Sequence, residues 1–344
     1  MKSINPIGIH GYAAYVPSYR IRTSEIARVW KGGGAGPNES KAVACFDEDV
    51  VTMSAEVARE ALGMAGSPPI GAIYVGTESK PYAVKSTGSI LSDMLGFNRS
   101  LGADLEFACK AGTEAMQVVS GLVGSGMIDY GLAIGADTAQ GAPGDELEHT
   151  AASGAAALVI GRADGNDIAE IKYSTSYISD TPDFWRRQTQ HFPSHLGRFT
   201  GEPAYFDHTI QSSKHALSDT GTTPKDYRFA IFHQPNPRFP FEVGKRLGFT
   251  QEQIMPGAVN NLIGNTYAAG AMMALSCTLD EANPGDRIFM TSFGSGAGSD
   301  TFVIEVKDRI MKRRGGSVRL KERMKKFMLI DYGIYAKWRG KIRE

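Results

Sequence analysis

Short, unbroken apolar runs alternate with helical stretches in an order that occurs twice, and this constrains the chain more than any other feature. Residues 72–76 (AIYVG), 130–135 (YGLAIG), 155–161 (AAALVIG), 229–232 (FAIF), 287–292 (RIFMTS) and 301–307 (TFVIEVK) have the length and composition of buried strands. Helical spacing marks residues 49–63, 87–94, 109–123, 241–247 and 266–279. The first half, opened by a strand over 8–16, runs strand, helix, strand, helix, a helix beginning at Cys109, then a strand pair. The second half runs from a strand near 168–177 through a helix near 205–218 and a strand ending at His233 to two helices and a strand pair. No residue-level repeat accompanies this order. Such alternation predicts an α/β architecture with mostly buried sheets. It divides the chain into residues 1–165, 166–308 and an extension, 309–344. Residues 178–204 are polar, aromatic and irregular, and a loop of that length in a compact enzyme is usually functional.

Thirty-seven basic and 37 acidic residues cancel, so no global field recruits nucleic acid or an acidic membrane surface. The same neutrality suits a surface meant for association. Three cysteines, Cys45, Cys109 and Cys277, lie far apart without a CxxC pair. That argues against a disulfide framework or a structural metal site and points to a reduced, cytoplasmic setting. No run approaches the ~18 apolar residues of a membrane helix, and the first 17 residues lack the pattern of a signal peptide. The extension is basic (Lys312, Arg313, Arg314, Arg319, Lys321, Arg323, Lys325, Lys326) with Met324, Phe327, Met328, Leu329 and Tyr332 between the charges. It suits either a solvated helix face or a docking element for a protein partner.

Four positions carry candidate chemistry. Cys109, in LEFACKAGTEAMQVV, ends a strand-like run and opens a helix. Unpaired N–H groups and the helix dipole there favour thiolate, the nucleophile for acyl transfer from a thioester. Cys45 and Cys277 lack that setting. His233, in FAIFHQPNPRFP, ends an apolar strand before turn-forming residues, where side chains of α/β folds enter the active-site crevice. Glu78, in YVGTESKPY, also follows an apolar strand, and partial desolvation there raises a carboxyl pKa into the range of a general acid or base. Asn265, between a glycine and a helix of small residues, donates to a thioester oxygen or caps the helix. The Gly-rich turn 294–298 either offers N–H groups to a ligand or simply joins two strands. It matches no phosphate-loop or dinucleotide pattern, so NAD or ATP binding is not indicated.

FACKAG with Cys109, FHQPNPRF with His233, IGNTYAAG with Asn265 and SFGSGAGSDTF together resemble the initiating condensing enzymes of the thiolase superfamily, over roughly residues 7–307. GTES with Glu78, FDEDVVTMS, SDTPDFWRR, GRFTGEPAYF and the ending LIDYGIYAKWRGKI are similar to archaeal hydroxymethylglutaryl-CoA synthases. The resemblance implies a duplicated five-layered αβαβα thiolase fold and a Glu–Cys–His mechanism in the mevalonate pathway. In it, acetyl-CoA acylates Cys109, Glu78 moves protons, and His233 polarises the ketone of acetoacetyl-CoA. It places Asn265 and Ser295 at the acyl site, Thr150 in an acyl-site loop, Arg198 and Thr200 against substrate or CoA, and Arg238 near the CoA entrance. It further implies a homodimer, assembled with an acetoacetyl-CoA thiolase and a small zinc-ribbon scaffold protein. A ketoacyl-acyl-carrier-protein synthase III shares the Cys, His and Asn motifs but has no equivalent of Glu78. A noncatalytic scaffold of the same fold would have no need of a nucleophile.

Overall fold

A computed structural model describes residues 1, 3–30, 36–138 and 141–342. Nine strands form its main sheet: β1 Ile7–Tyr15, β2 Ala72–Gly76, β3 Leu101–Leu105, β4 Tyr130–Asp137, β5 Gly154–Arg162, β6 Ala169–Ile178, β7 Phe229–Phe232, β8 Arg287–Thr291 and β9 Gly298–Val306. Their spatial order is β7-β8-β9-β6-β1-β5-β4-β2-β3. Outward from β1 the pairings are antiparallel, antiparallel, parallel and parallel. Outward from β6 they are antiparallel, antiparallel and parallel. The same motif therefore occurs twice, joined where Ile7, Gly8 and Ile9 pair with Ile171, Glu170 and Ala169. The first copy has one strand more, β3, which sequence patterning misses because LGADL alternates instead of running apolar.

Helices complete five layers. Helix α1 (Val50–Ala65) covers the outer face of the first copy, against β1 and β5. A reciprocal capping box between Asp49 and Thr52 starts it and left-handed Gly66 ends it. Helix α2 (Ala111–Gly124) lies on the other face, against β4 and β2. Helix α3 (Phe206–Thr220) covers the outer face of the second copy, on β9 and β6. Helix α4 (Gly270–Leu279) touches α2 and strands of both copies. Every residue of α4 from Ala271 to Leu279 is buried, as a helix with sheet on both sides must be. One core cluster accordingly runs from Met116 and Val119 of α2 through Met272 and Leu275 to Ile288 and Phe302.

The extension is tied to the body at several points while Glu322, Lys325, Phe327, Met328 and Leu329 stay exposed. Arg313 and Arg314 bond the carbonyls of Met64 and Ala282, and Arg323 pairs with Glu60. Met328–Leu329 then adds a parallel strand beside Tyr19–Arg22, and Tyr332–Trp338 is a helix. Among the described residues, no helix is long and apolar enough to cross a membrane, and no cluster of three potential ligands could hold a metal ion.

Candidate active site

Strand β3 delivers the nucleophile candidate. It ends at Leu105, and Ala108–Lys110 forms one 3-10 turn before α2 begins at Ala111. Cys109 thus sits in the elbow ahead of the helix and not at its first residue. Ala108 holds φ at 47°, a left-handed conformation that a non-glycine residue adopts at a cost. Close approach of the elbow to the second copy depends on glycine: a Cβ on Gly112 would lie 2.3 Å from the Ala268 carbonyl.

Behind the elbow Lys110 is fully buried. Its ammonium lies 3.0 Å from Asp300 Oδ1 and also meets Glu114. Asp300 further accepts from Thr113 and Ser176, each at 2.7 Å. This network ties the elbow to β9 of the second copy.

The thiol does not rest as thiolate. Burial, above all, holds its pKa well above the usual value; the negative charges of Asp137, Glu78 and Asp183 push the same way, against the Asn265 amide. Removal from water outweighs the helix terminus, and the expectation of a depressed pKa is corrected accordingly.

Asn265 uses its amide in two directions. Its Oδ1 accepts from the N–H of Tyr267 at 3.0 Å, just ahead of the short turn 267–269. That leaves Nδ2 facing Cys109 Sγ at 3.9 Å. The backbone is fixed by Asn265 N donating to Thr150 O (2.8 Å) and Ala152 N to Asn265 O (2.9 Å).

His233 follows β7 and is 1% exposed. Neither ring nitrogen has a partner among the described residues. Burial pushes its pKa down to about 3, so the imidazole is neutral, with one N–H to give and one lone pair to receive. Glu78 stands in the corresponding place of the first copy, just after β2. Its carboxyl is pushed up to about 8, chiefly by burial, then by Asp137 and Glu106; the backbone N–H groups of Ala108 and Phe107 oppose this. The carboxyl therefore faces the peptide that precedes Cys109.

Cys109, His233, Asn265, Thr150, Thr200 and Ser295 line one cavity of about 580 Å³. Glu78 lines two adjoining ones, of about 290 and 640 Å³, and the smaller shares Phe184, Tyr267 and Ser295 with the first. Arg198 and Arg238 are exposed and do not line the cavity, though Gly197, Thr200, Asn236 and Phe239 beside them do. Two acids escaped the sequence reading. Asp137, fully buried at the end of β4, accepts from Thr77 Oγ1 (3.1 Å), Glu78 N (2.8 Å), Ser79 Oγ (2.6 Å) and Ala268 N (3.0 Å), and burial pushes it up to about 6. Its signal, a polar residue closing the apolar run YGLAIGA, is the one that marks Glu78 and His233. Asp183, within the irregular loop, accepts from Gly296 N at 2.9 Å and so holds the Gly-rich turn.

The family model for the C-terminal part of 3-oxoacyl-[acyl-carrier-protein] synthase III matches residues 217–306. Over 99% of its length the chain is 51% identical to the hydroxymethylglutaryl-CoA synthase of Pyrococcus furiosus, of which it covers 98%. The solved structure "MvaS in complex with 3-hydroxy-3-methylglutaryl coenzyme A" superposes with a TM-score of 0.85 over 98% of this chain and 92% of that one, at 19% identity. The 3-oxoacyl-(acyl carrier protein) synthase III of Pseudomonas aeruginosa gives 0.79 over 88% and 98%, also at 19%. These two likenesses speak for the thiolase fold.

Proposed function

The chain belongs to the hydroxymethylglutaryl-CoA synthase family, and from that premise we propose that it condenses acetyl-CoA and acetoacetyl-CoA through an acetyl thioester on Cys109. Acylation is thioester exchange: the acetyl carbon moves from the CoA sulfur to Cys109, and the Cys109 proton ends on the released CoA thiol. Because the proton has that destination, a thiol held neutral by burial is no obstacle. Glu78 then takes a proton from the acetyl methyl, and the resulting carbanion attacks the ketone of acetoacetyl-CoA. Neutral His233 donates its N–H to the ketone oxygen, and Glu78 returns its proton to the new alkoxide. Water cleaves the Cys109 thioester, giving (S)-3-hydroxy-3-methylglutaryl-CoA and the free thiol. A carboxyl near 8 suits a group that must both accept and give a proton.

One observation carries this reading: sulfur, unpartnered imidazole and amide share a cavity, and the Glu78 carboxyl abuts the peptide before the sulfur. Thr150, Thr200 and Ser295 contact the acyl groups and pantetheine, while Arg198 and Arg238 meet CoA phosphate at the mouth. The reaction takes no cofactor and serves the mevalonate pathway in the cytoplasm. The halves 1–165 and 166–308 contribute Glu78 and Cys109, and His233 and Asn265, respectively. Edge strand β3, with Leu101 47% exposed, offers a sheet edge for a homodimer. Assembly with an acetoacetyl-CoA thiolase and a zinc-ribbon protein rests on the resemblance alone. The ketoacyl synthase alternative shares the Cys, His and Asn motifs but leaves Glu78 without a task.

The test is incubation with labelled acetyl-CoA followed by peptide mapping. Label on Cys109, discharged as hydroxymethylglutaryl-CoA when acetoacetyl-CoA is added, is the expected result. Label elsewhere, or an adduct indifferent to acetoacetyl-CoA, overturns the proposal.

A further inference from the structure

Glu148 belongs to a short helix, Glu146–Thr150, one turn of which walls the Cys109 cavity through Leu147, His149 and Thr150. Its own side chain points the other way and is completely buried. A carboxylate in that position is costly unless every lone pair is met. Four donors meet it, beside the Tyr335 hydroxyl and the fully buried Lys41, whose ammonium bonds the Glu148 backbone carbonyl. Trp30 Nε1 (3.0 Å) and Gly144 N (2.8 Å) approach Oε2, and the Tyr332 hydroxyl (3.1 Å) and Lys341 Nζ (3.0 Å) approach Oε1.

Two of those donors, and the only cation among the four, come from the C-terminal extension. Trp30 itself lines the cavity and also bonds Tyr332, at 3.1 Å. The extension is well anchored for the purpose. Met328 N and Ile330 N donate to Ser18 O (2.8 Å) and Arg20 O (2.9 Å). Asp331 caps the last helix, and Tyr335 is buried against Ile21, Ile26 and Val43. Lys341 also bonds the Gly141 carbonyl and lies 5.1 Å from the Phe192 ring.

We infer that Lys341 and Tyr332 are positioning residues for the acyl-CoA cavity: they hold Glu148, and through it the wall bearing Trp30, His149 and Thr150. The C-terminal end of the extension is then part of the support of the substrate site. This rests on the proposed use of that cavity for acyl-CoA, yet it is testable without turnover.

The full chain and its Lys341→Met and Lys341→Arg variants are titrated with CoA by calorimetry, and their melting is followed in parallel. Lys341→Met is expected to weaken CoA binding about tenfold, the value of one hydrogen bond to a buried charge. The folded baseline should stay intact, and Lys341→Arg should restore most of the affinity. Wild-type affinity in Lys341→Met, with or without a lowered melting temperature, overturns the inference. Equal loss in Lys341→Arg does so as well. Tyr332→Phe, which keeps the ring packing, gives a second reading: a smaller loss of affinity in the same direction is expected, and none would count against the role. A wild-type chain that binds CoA but makes no product would break the functional proposal while leaving this inference standing.

Discussion

Two groups of buried and half-buried acids flank the Cys109 elbow, and they keep opposite company. On one side Asp300 and Glu114 surround the ammonium of Lys110. On the other, Glu78 and Asp137 meet hydroxyl and backbone N–H donors. A cation fixes charge and geometry together, so the first group holds the elbow against the second half. Without one, burial lifts both carboxyls toward neutrality, with Asp137 also repelling charge on Glu78, to about 8 for Glu78 and about 6 for Asp137, where a proton can be taken or given. The difference separates a fastening from a reactive group although the residue types are the same.

The strongest way to break this comparison is at Glu78. Glu78→Ala is expected to lower turnover about 10³-fold, or ~4 kcal/mol in the barrier, while labelled acetyl still reaches Cys109. If condensation continues near the wild-type rate, Glu78 is not the reactive acid. Next comes the fastening. Lys110→Met strands Asp300 as an unpaired buried charge and should cost on the order of 3 kcal/mol in denaturant unfolding. Asp300→Asn added to it should recover part of that loss, and a melt like the wild type would show that the pair holds nothing.

The titration of the reactive group sharpens the contrast further. Glu78 works as a base only when ionised, so kcat/KM should rise with pH and level off above about 8. Asp137, raised to about 6, is already ionised in that range and repels the charge forming on Glu78. Asp137→Asn should therefore move the rising limb to lower pH; a limb that stays or climbs would remove the repulsion argument. The smallest effect belongs to Thr113→Val, which deletes one hydroxyl from Asp300 and should cost about 1.5 kcal/mol of stability with no change in the pH profile.

Much of this contrast was legible from residue order. Chemistry-bearing residues that close apolar strands, Glu78 and His233, stand where the pattern puts them, and Asp137 would have joined them under the same criterion. Strand β3 was missed because its edge position lets it be polar. The state of the Cys109 thiol was misread because a helix terminus is local in sequence, while the burial that overrules it is not. Lys110–Asp300 and Glu148–Lys341 join residues 190 and 193 apart, and nothing near either partner announces the other. The pairing of the two sheet motifs is equally long-range, but a repeated order of elements reveals it without residue similarity.

Ala108 carries a consequence for which sequences can occupy the elbow. Holding φ at 47° costs an alanine roughly 1 kcal/mol that a glycine would not pay. Glycine would thus relax the native state, yet it would also let the peptide swing and give the sulfur several headings in place of one. A β-branched side chain would be strained there outright. The restriction at this position is one of backbone conformation, and the less comfortable alanine aims better than glycine.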